Sequence, residues 1–451
     1  MIKTHFIMNH KKFILIFLFT LTIFPNSFLA QNAKVLKLDE AILLAKQNNS
    51  ELAIARMDEM KAESKVSQVY SENLVPNLSL SGNYMRYFKL PVFKLDIPQF
   101  GFSGSFPIGS DNSVTATLNV SEPIPILGTP VFSGIKIAQV YSKLQTENVK
   151  SIETKIKSDV KKAFINVILL KEVIDVNKQS LENAQENLKI VESRYKAGTA
   201  TEFDYLRAKV KVETLLPTIT QSENNLIISK KVLKTAIGLK SEQDVDAAGK
   251  LTYDSTEVYG NTDDLVRKIS NENVAIRQLN LSNQINRELT RVDRSSFLPK
   301  FYVFGQYQLQ AQENDGKSFF RYFYNNAITA GLGMSWDLNF FGNSYKLDQS
   351  EIDVRKTDEQ IVQVKDMLKT QSQSILVRLD DAKNRIQAMK ENVALAERGL
   401  YLANTSFKSG VINQIDVLDA ELSLSQVKLG LLQAIYDYQN ARTELEQLLE
   451  K

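Results

Sequence analysis

The sequence predicts an α/β membrane protein built from two internal structural repeats, each pairing two barrel-type strands with long coiled-coil helices. Three observations predict it. Four segments alternate apolar and polar residues over about the length a tilted strand needs to cross a bilayer. Apolar positions then recur every three or four residues through helices too long for a globule. Finally, the stretch from Arg194-Tyr195-Lys196-Ala197-Gly198 to Phe203-Asp204-Tyr205-Leu206-Arg207-Ala208 returns as Ser406-Phe407-Lys408-Ser409-Gly410 to Ile415-Asp416-Val417-Leu418-Asp419-Ala420. Such self-similarity marks a repeat.

Residues 1–30 read as a secretory signal. Lys11 and Lys12 precede an apolar run from Phe13 to Phe24, then a polar break at Pro25-Asn26-Ser27 and a cut after Ala30. The other reading, an uncleaved anchor, meets a run shorter than the roughly 20 residues a spanning helix needs. Cleavage removes His5, His10, Lys3, Lys11 and Lys12, so the 55 basic residues fall to match the 52 acidic ones. A neutral chain lacks the basic footprint of a nucleic-acid binder. With no cysteine there is no disulfide framework. Without His or Cys, zinc sites and nucleophilic triads lose their usual members. No catalytic, cofactor or metal site is expected, and the chain is not expected to be an enzyme. Nor does any mature stretch approach the length of a membrane helix, so entry into lipid must be by strands.

Both repeats read in the same order. In the first, 31–240, a helix over 39–74 ends at Pro76. A strand over 77–88 points Leu78, Leu80, Gly82 and Tyr84 one way and Asn77, Ser79, Ser81 and Asn83 the other. Residues 89–112, rich in Pro, Phe and Gly, read as a hairpin loop on the outer side. The second strand, 113–124, sets Val114, Ala116, Leu118 and Val120 against Ser113, Thr115, Thr117, Asn119 and Ser121. A helix over 131–195 would then reach roughly 95 Å. Gly198 ends it, since the left-handed residue after a helix favours glycine. A return helix spans 203–237, where Pro217 should kink or break it.

Residues 241–262 read as an equatorial connector, with a short strand expected at Leu251-Thr252-Tyr253. The second repeat, 263–451, opens with a helix over 263–297. Its strand over 300–311 sets Phe301, Val303, Gly305, Tyr307 and Leu309 against Gln306, Gln308 and Gln310. After a loop over 312–326, the strand over 327–338 sets Ile328, Ala330, Leu332, Met334, Trp336 and Leu338 against Thr329, Gly331, Gly333, Ser335 and Asp337. Helices over 344–408 and 411–449 meet at Gly410. A half-buried soluble sheet also alternates, but four such segments in matched pairs behind a signal favour a barrel wall wet on one side. Four strands cannot close in lipid, so the chain must oligomerise, and ring symmetry supplies closure.

The chain resembles the TolC-type outer-membrane efflux proteins. Leu38-Asp39-Glu40-Ala41-Ile42 with Asn48-Asn49-Ser50-Glu51-Leu52 resembles their opening, and Val75-Pro76-Asn77-Leu78 with Leu298-Pro299-Lys300-Phe301 their helix-to-strand junctions. Ser121-Glu122-Pro123-Ile124 with Gly128, and Ser335-Trp336-Asp337-Leu338 with Gly342, resemble their strand-to-helix exits. The resemblance implies a homotrimer whose twelve-stranded barrel in the outer membrane continues as a periplasmic coiled-coil tunnel. It implies a passive exit duct for small molecules, ions or proteins, supplied by an inner-membrane pump and a periplasmic adaptor. In the family the Gly-turn tips meet the adaptor; the matching positions are Ala197, Gly198, Thr199, Ser409, Gly410 and Val411.

The resemblance also implies a periplasmic gate. Asp416 and Asp419 match the family's aspartate rings, and Asp204 matches the acid of the first copy. Acids at i and i+3 share one helix face, and a ring of them attracts cations. The sequence departs from the family pattern at Phe407, where a tyrosine is expected, and at Ile412, where an arginine is expected, so those locking hydrogen bonds cannot form. Arg207 is the residue expected to pair with an acid on a neighbouring helix. The other reading makes these acids solvated helix-start residues favoured by the dipole. Two other functions stay open: a secreted coiled-coil structural or adhesin-like rod, and an enzyme on a helical scaffold using acids such as Asp39 and Glu40.

Overall fold

The computed structural model describes residues 34–125, 130–240, 244–254 and 261–450. The signal segment 1–30, Gly128 and much of the connector lie outside the described residues. Strand β1 (Lys34–Leu36) leads into α1 (Leu38–Asn48) and α2 (Ser50–Leu74). Strands β2 (Asn77–Arg86), β3 (Val92–Ile97), β4 (Phe102–Pro107) and β5 (Asn112–Pro123) follow. Then come α3 (Pro130–Lys196), α4 (Glu202–Ile237) and β6 (Val245–Ala247). The second half is α5 (Thr262–Glu272), α6 (Val274–Ser295), β7 (Lys300–Glu313), β8 (Asn325–Ser335), α7 (Phe340–Lys408) and α8 (Gln414–Leu448).

The main sheet is antiparallel throughout, in the order β2-β5-β7-β8. Its register lines up the apolar positions of strands far apart in sequence on one face and most of the polar ones on the other. Leu80 pairs with Leu118, Leu118 with Tyr307 and Tyr307 with Ile328. On the opposite face Ser81 pairs with Thr117, Thr117 with Gln308 and Gln308 with Ala327. The apolar row is bare on the edge strands, where Leu80 is 78% and Ile328 80% exposed, while Leu118 in the middle is partly covered. The polar face also carries two aromatics that the sequence reading did not place there. Tyr302 lies opposite Gly333 and Phe304 opposite Gly331. A Cβ at Gly331 would stand 3.0 Å from the Phe304 ring, and one at Gly333 would overlap the Tyr302 ring.

Four expectations need correction. Residues 89–112 are not a plain loop, because β3 and β4 form a second antiparallel hairpin within them. Its register sets Phe93 opposite Phe106, and Phe102 stacks on Phe106 with centroids 5.8 Å apart. The expected strand at 251–253 is absent; β6 instead pairs in parallel with β1. Pro217 does not break α4, which runs through it. The opening helices of both repeats are each split by an asparagine. Asn49 Oδ1 accepts from the Glu51 and Leu52 N–H groups (2.8 and 3.3 Å), and Asn273 Oδ1 from Ala275 N–H (3.0 Å). Each asparagine thus caps a new helix. Each also ties down the return helix of its own repeat, Nδ2 donating to the Ala236 carbonyl (3.3 Å) or the Leu448 carbonyl (3.0 Å).

Each repeat buries its own core midway along the rods. Leu36, Leu52, Val160, Val167 and Leu233 centre the first; Ile269, Ile375, Ile386, Tyr438 and Leu445 centre the second. Arg277 of α6 joins the two, donating to Glu147 of α3 (2.8 Å) and, with both terminal nitrogens, to Glu450 (3.0 and 2.7 Å). Lys162 of α3 reaches Glu444 of α8 at 3.0 Å. Among the described residues no helix is long and apolar enough to cross a membrane.

Candidate functional site at the helix tips

Helices α3 and α7 end alike. Gly198 (φ 72°) and Gly410 (φ 78°) are left-handed. Thr199 N–H donates to the Arg194 carbonyl (2.9 Å) and Gly198 N–H to the Tyr195 carbonyl (3.0 Å). Val411 N–H and Gly410 N–H repeat this on the Ser406 and Phe407 carbonyls (2.9 and 3.0 Å). Both bonds satisfy carbonyls that a helix end leaves unpaired. Each return helix then opens on a capping box. Asp204 N–H donates to Thr201 Oγ1 (3.1 Å) while the Asp204 carboxylate accepts from Thr201 N–H (3.3 Å). The Asp416 carboxylate likewise accepts from Asn413 N–H (3.0 Å).

The tips differ in what holds them. In the first, Tyr195 stacks on Tyr205 with centroids 5.6 Å apart and planes 8° from parallel. In the second, Phe407 takes the place of Tyr195 and is buried. The Arg194 guanidinium lies 4.3 Å from its ring centroid. The same group donates to the carbonyls of Phe407 (2.6 Å) and Lys408 (3.3 Å). A cation there also complements the C-terminal end of the α7 dipole. One chain therefore carries its own clasp between the two tips, made by a residue the sequence reading did not select. A small core of Val191, Ala208, Leu400, Phe407, Val417 and Leu424 backs it.

Within the single chain Arg207 lies over Phe203, one turn back on its own helix, at 4.4 Å, and forms no ion pair among the described residues. A groove of about 600 Å³ between the tips brings Asp204 and Arg207 together with Arg194, Thr199, Ser409 and Gly410. Asp416 and Asp419 are not in its lining; both are exposed on α8. Ala197 and Val411 are exposed at the turns. Among the described residues no three His, Cys, Asp or Glu side chains gather as a metal site requires.

A further acid lies one turn beyond the aspartates. Glu421 is only 8% exposed. Burial pushes its carboxyl up to about 7, against the opposing pull of the Lys211 charge. A local signal for it exists, since the steps from Val417 to Glu421 and on to Leu424 place it on the helix's apolar seam.

A sheet with one bare oily face, carried on helical rods that end in clasped tips, defines an outer-membrane channel chain. Residues 41–239 and 265–450 match the outer membrane efflux protein family, and the chain belongs to it. It is similar to nodulation protein T of Rhizobium leguminosarum bv. trifolii, 21% identical over 289 residues, covering 62% of this chain and 60% of that protein. It is also similar to outer membrane protein TolC of Escherichia coli strain K12, 25% identical over 209 residues, covering 45% of this chain and 40% of that protein. Both matches span less than two thirds of the relative's length. The outer-membrane channel OprN shares the fold, with a TM-score of 0.76 at 14% identity over 92% of this chain and 89% of that one. The family is that of the outer membrane efflux proteins, and the solved structures sharing the fold include outer-membrane channels.

Proposed function

We propose that the chain is one of three identical subunits of a passive exit duct, carrying small molecules, ions or proteins from an inner-membrane pump to the outside. The register of the main sheet carries this reading. It makes the bare apolar face continuous, while the outer edges of β2 and β8 pair with no other strand among the described residues. Open edges in lipid leave backbone groups unpaired. Three copies joining β8 to β2 would close twelve strands, oily toward outer-membrane lipid and wet within. Energy comes from the pump, and a periplasmic adaptor seats on Ala197, Gly198, Thr199, Ser409, Gly410 and Val411. Asp416 and Asp419 narrow the periplasmic end, with Asp204 and Arg207 beside them in the gate.

Detergent-purified protein tests this by crosslinked mass and by conductance in planar bilayers. A trimer that conducts is expected. A detergent-independent monomer without conductance would overturn the reading.

A further inference from the structure

The seam between α3 and α8 turns polar just above the tips. Asn187 of α3 and Gln414 of α8 are 5% and 4% exposed, yet neither side-chain amide group finds a protein partner among the described residues. Glu421, two turns along α8 from Gln414, has its Oε2 equally buried and without a partner. It faces a cavity of about 200 Å³ whose other wall is α3, with Gln179, Ser180 and Asn183 in the lining. Such a space holds several waters. This burial lies between two helices of one chain and does not depend on assembly.

We propose that Glu421 is a proton-operated latch on the tip end of the α3–α8 seam. Protonated, it is a neutral hydrogen-bonding group that the polar cavity accommodates, and the helices stay closed. Ionised, it is a buried charge without a contacting counter-charge, a costly arrangement that separation of the helices and entry of water relieve. Its meaning as control of a duct rests on the function proposed above; the latch itself does not.

The charged groups facing Glu421 come from four helices. Asp175 of α3 lines the same cavity. Lys211 of α4 pulls its carboxyl down, and burial outweighs that pull. Lys428 of α8 lines the cavity too but is paired with Glu397 of α7 at 2.9 Å. The described residues include no histidine, the side chain that ordinarily titrates near neutrality. The sign follows from linkage. The ordinary carboxyl value is 4.5 and the folded one about 7. The protonated seam's contribution is therefore complete below 4.5 and is lost as pH rises through about 7. Acid outside the cell tightens the duct and alkali loosens it.

Hydrogen exchange of the full-length protein in detergent, corrected for intrinsic rates, tests the latch between pH 5.5 and 8.5. In the wild type, protection over 175–191 and 414–428 should fall about tenfold or more across that range, with a midpoint between 4.5 and 7 and a plateau above about 7. Glu421→Gln should abolish the step and keep the acid-side protection. Lys211→Gln should move the midpoint upward, a shift that a merely structural role would not produce. Protection over 152–168 reports whether each variant is folded. A wild type without the step, or Glu421→Gln with the same step, would overturn the latch. A wild type that shows the step but conducts no ions would leave the latch standing and overturn the duct.

Discussion

Arg194 and Phe407 hold each other across 213 positions of sequence, the guanidinium lying 4.3 Å from the ring centroid and donating to the backbone carbonyl at 2.6 Å. Each closes a long helix of a different repeat, so the contact fixes one tip against the other. It lies at Phe407, where the resemblance leads one to expect a tyrosine, and it would supply a clasp of different construction.

Arg194→Ala removes a charge-assisted hydrogen bond and a cation–π contact, together worth about 2 kcal/mol. Exchange protection over 400–410 should drop and the purified pore should conduct more. Arg194→Lys keeps the charge without the planar fork and should fall between. Unchanged protection in Arg194→Ala would show that the clasp does not hold the tips.

The two aspartates of α8 can be separated. Asp416 caps the helix, whereas Asp419 accepts no hydrogen bond among the described residues. Asp416→Asn should therefore lower thermal stability, by about 1 kcal/mol, and Asp419→Asn should not. Block of the pore by multivalent cations should weaken in both. If Asp419→Asn leaves block untouched, the acids are caps and not rings.

Tyr302 needs a glycine across from it. Gly333→Ala forces the ring aside and should cost about 1–3 kcal/mol, read as a lower temperature of oligomer unfolding. Tyr302→Ala in the same chain should return most of the loss, which a clash predicts and a general weakening of β8 does not. Gly305→Ala is the control, since a Cβ there meets nothing within 4 Å.

Glu147 supplies an acid limit. Burial pushes its carboxyl up, but hydrogen bonds from Lys150 and Arg277 outweigh burial and hold it below 4.5. A lowered folded value means stability present above 4.5 and lost as pH falls through the folded value. Thermal scans should show this weakening in the wild type and less of it in Arg277→Ala. That variant should also be less stable at neutral pH, because Glu147 is left with Lys150 alone and Glu450 with the Val274 N–H.

Strands and their faces are legible in the sequence because alternation is local: Leu78, Leu80 and Tyr84 announce one face without knowledge of any partner. The Gly198 and Gly410 turns are legible for the same reason. Asn49 and Asn273 are hidden, since the apolar spacing continues on both sides while the side chain starts a new helix. The β3–β4 hairpin is hidden by Pro91, Pro98 and Pro107, which read as loop although they fall outside the strands or at an end. At the tips, Asp204 and Asp416 show as acids, but their capping role needs backbone geometry. Arg194 could not be found locally, because its partner lies in the other repeat. Glu421 could have been, as an acid on an apolar stripe.

The two turns of one chain are thus alike in backbone and unlike in fastening, stacked phenols at one and a cation over a phenyl ring at the other. In the three-copy assembly proposed above, the six ends would alternate in kind. A partner offering six identical arms to that assembly would meet two sorts of socket, and its arms would have to take up two different postures to seat at all of them.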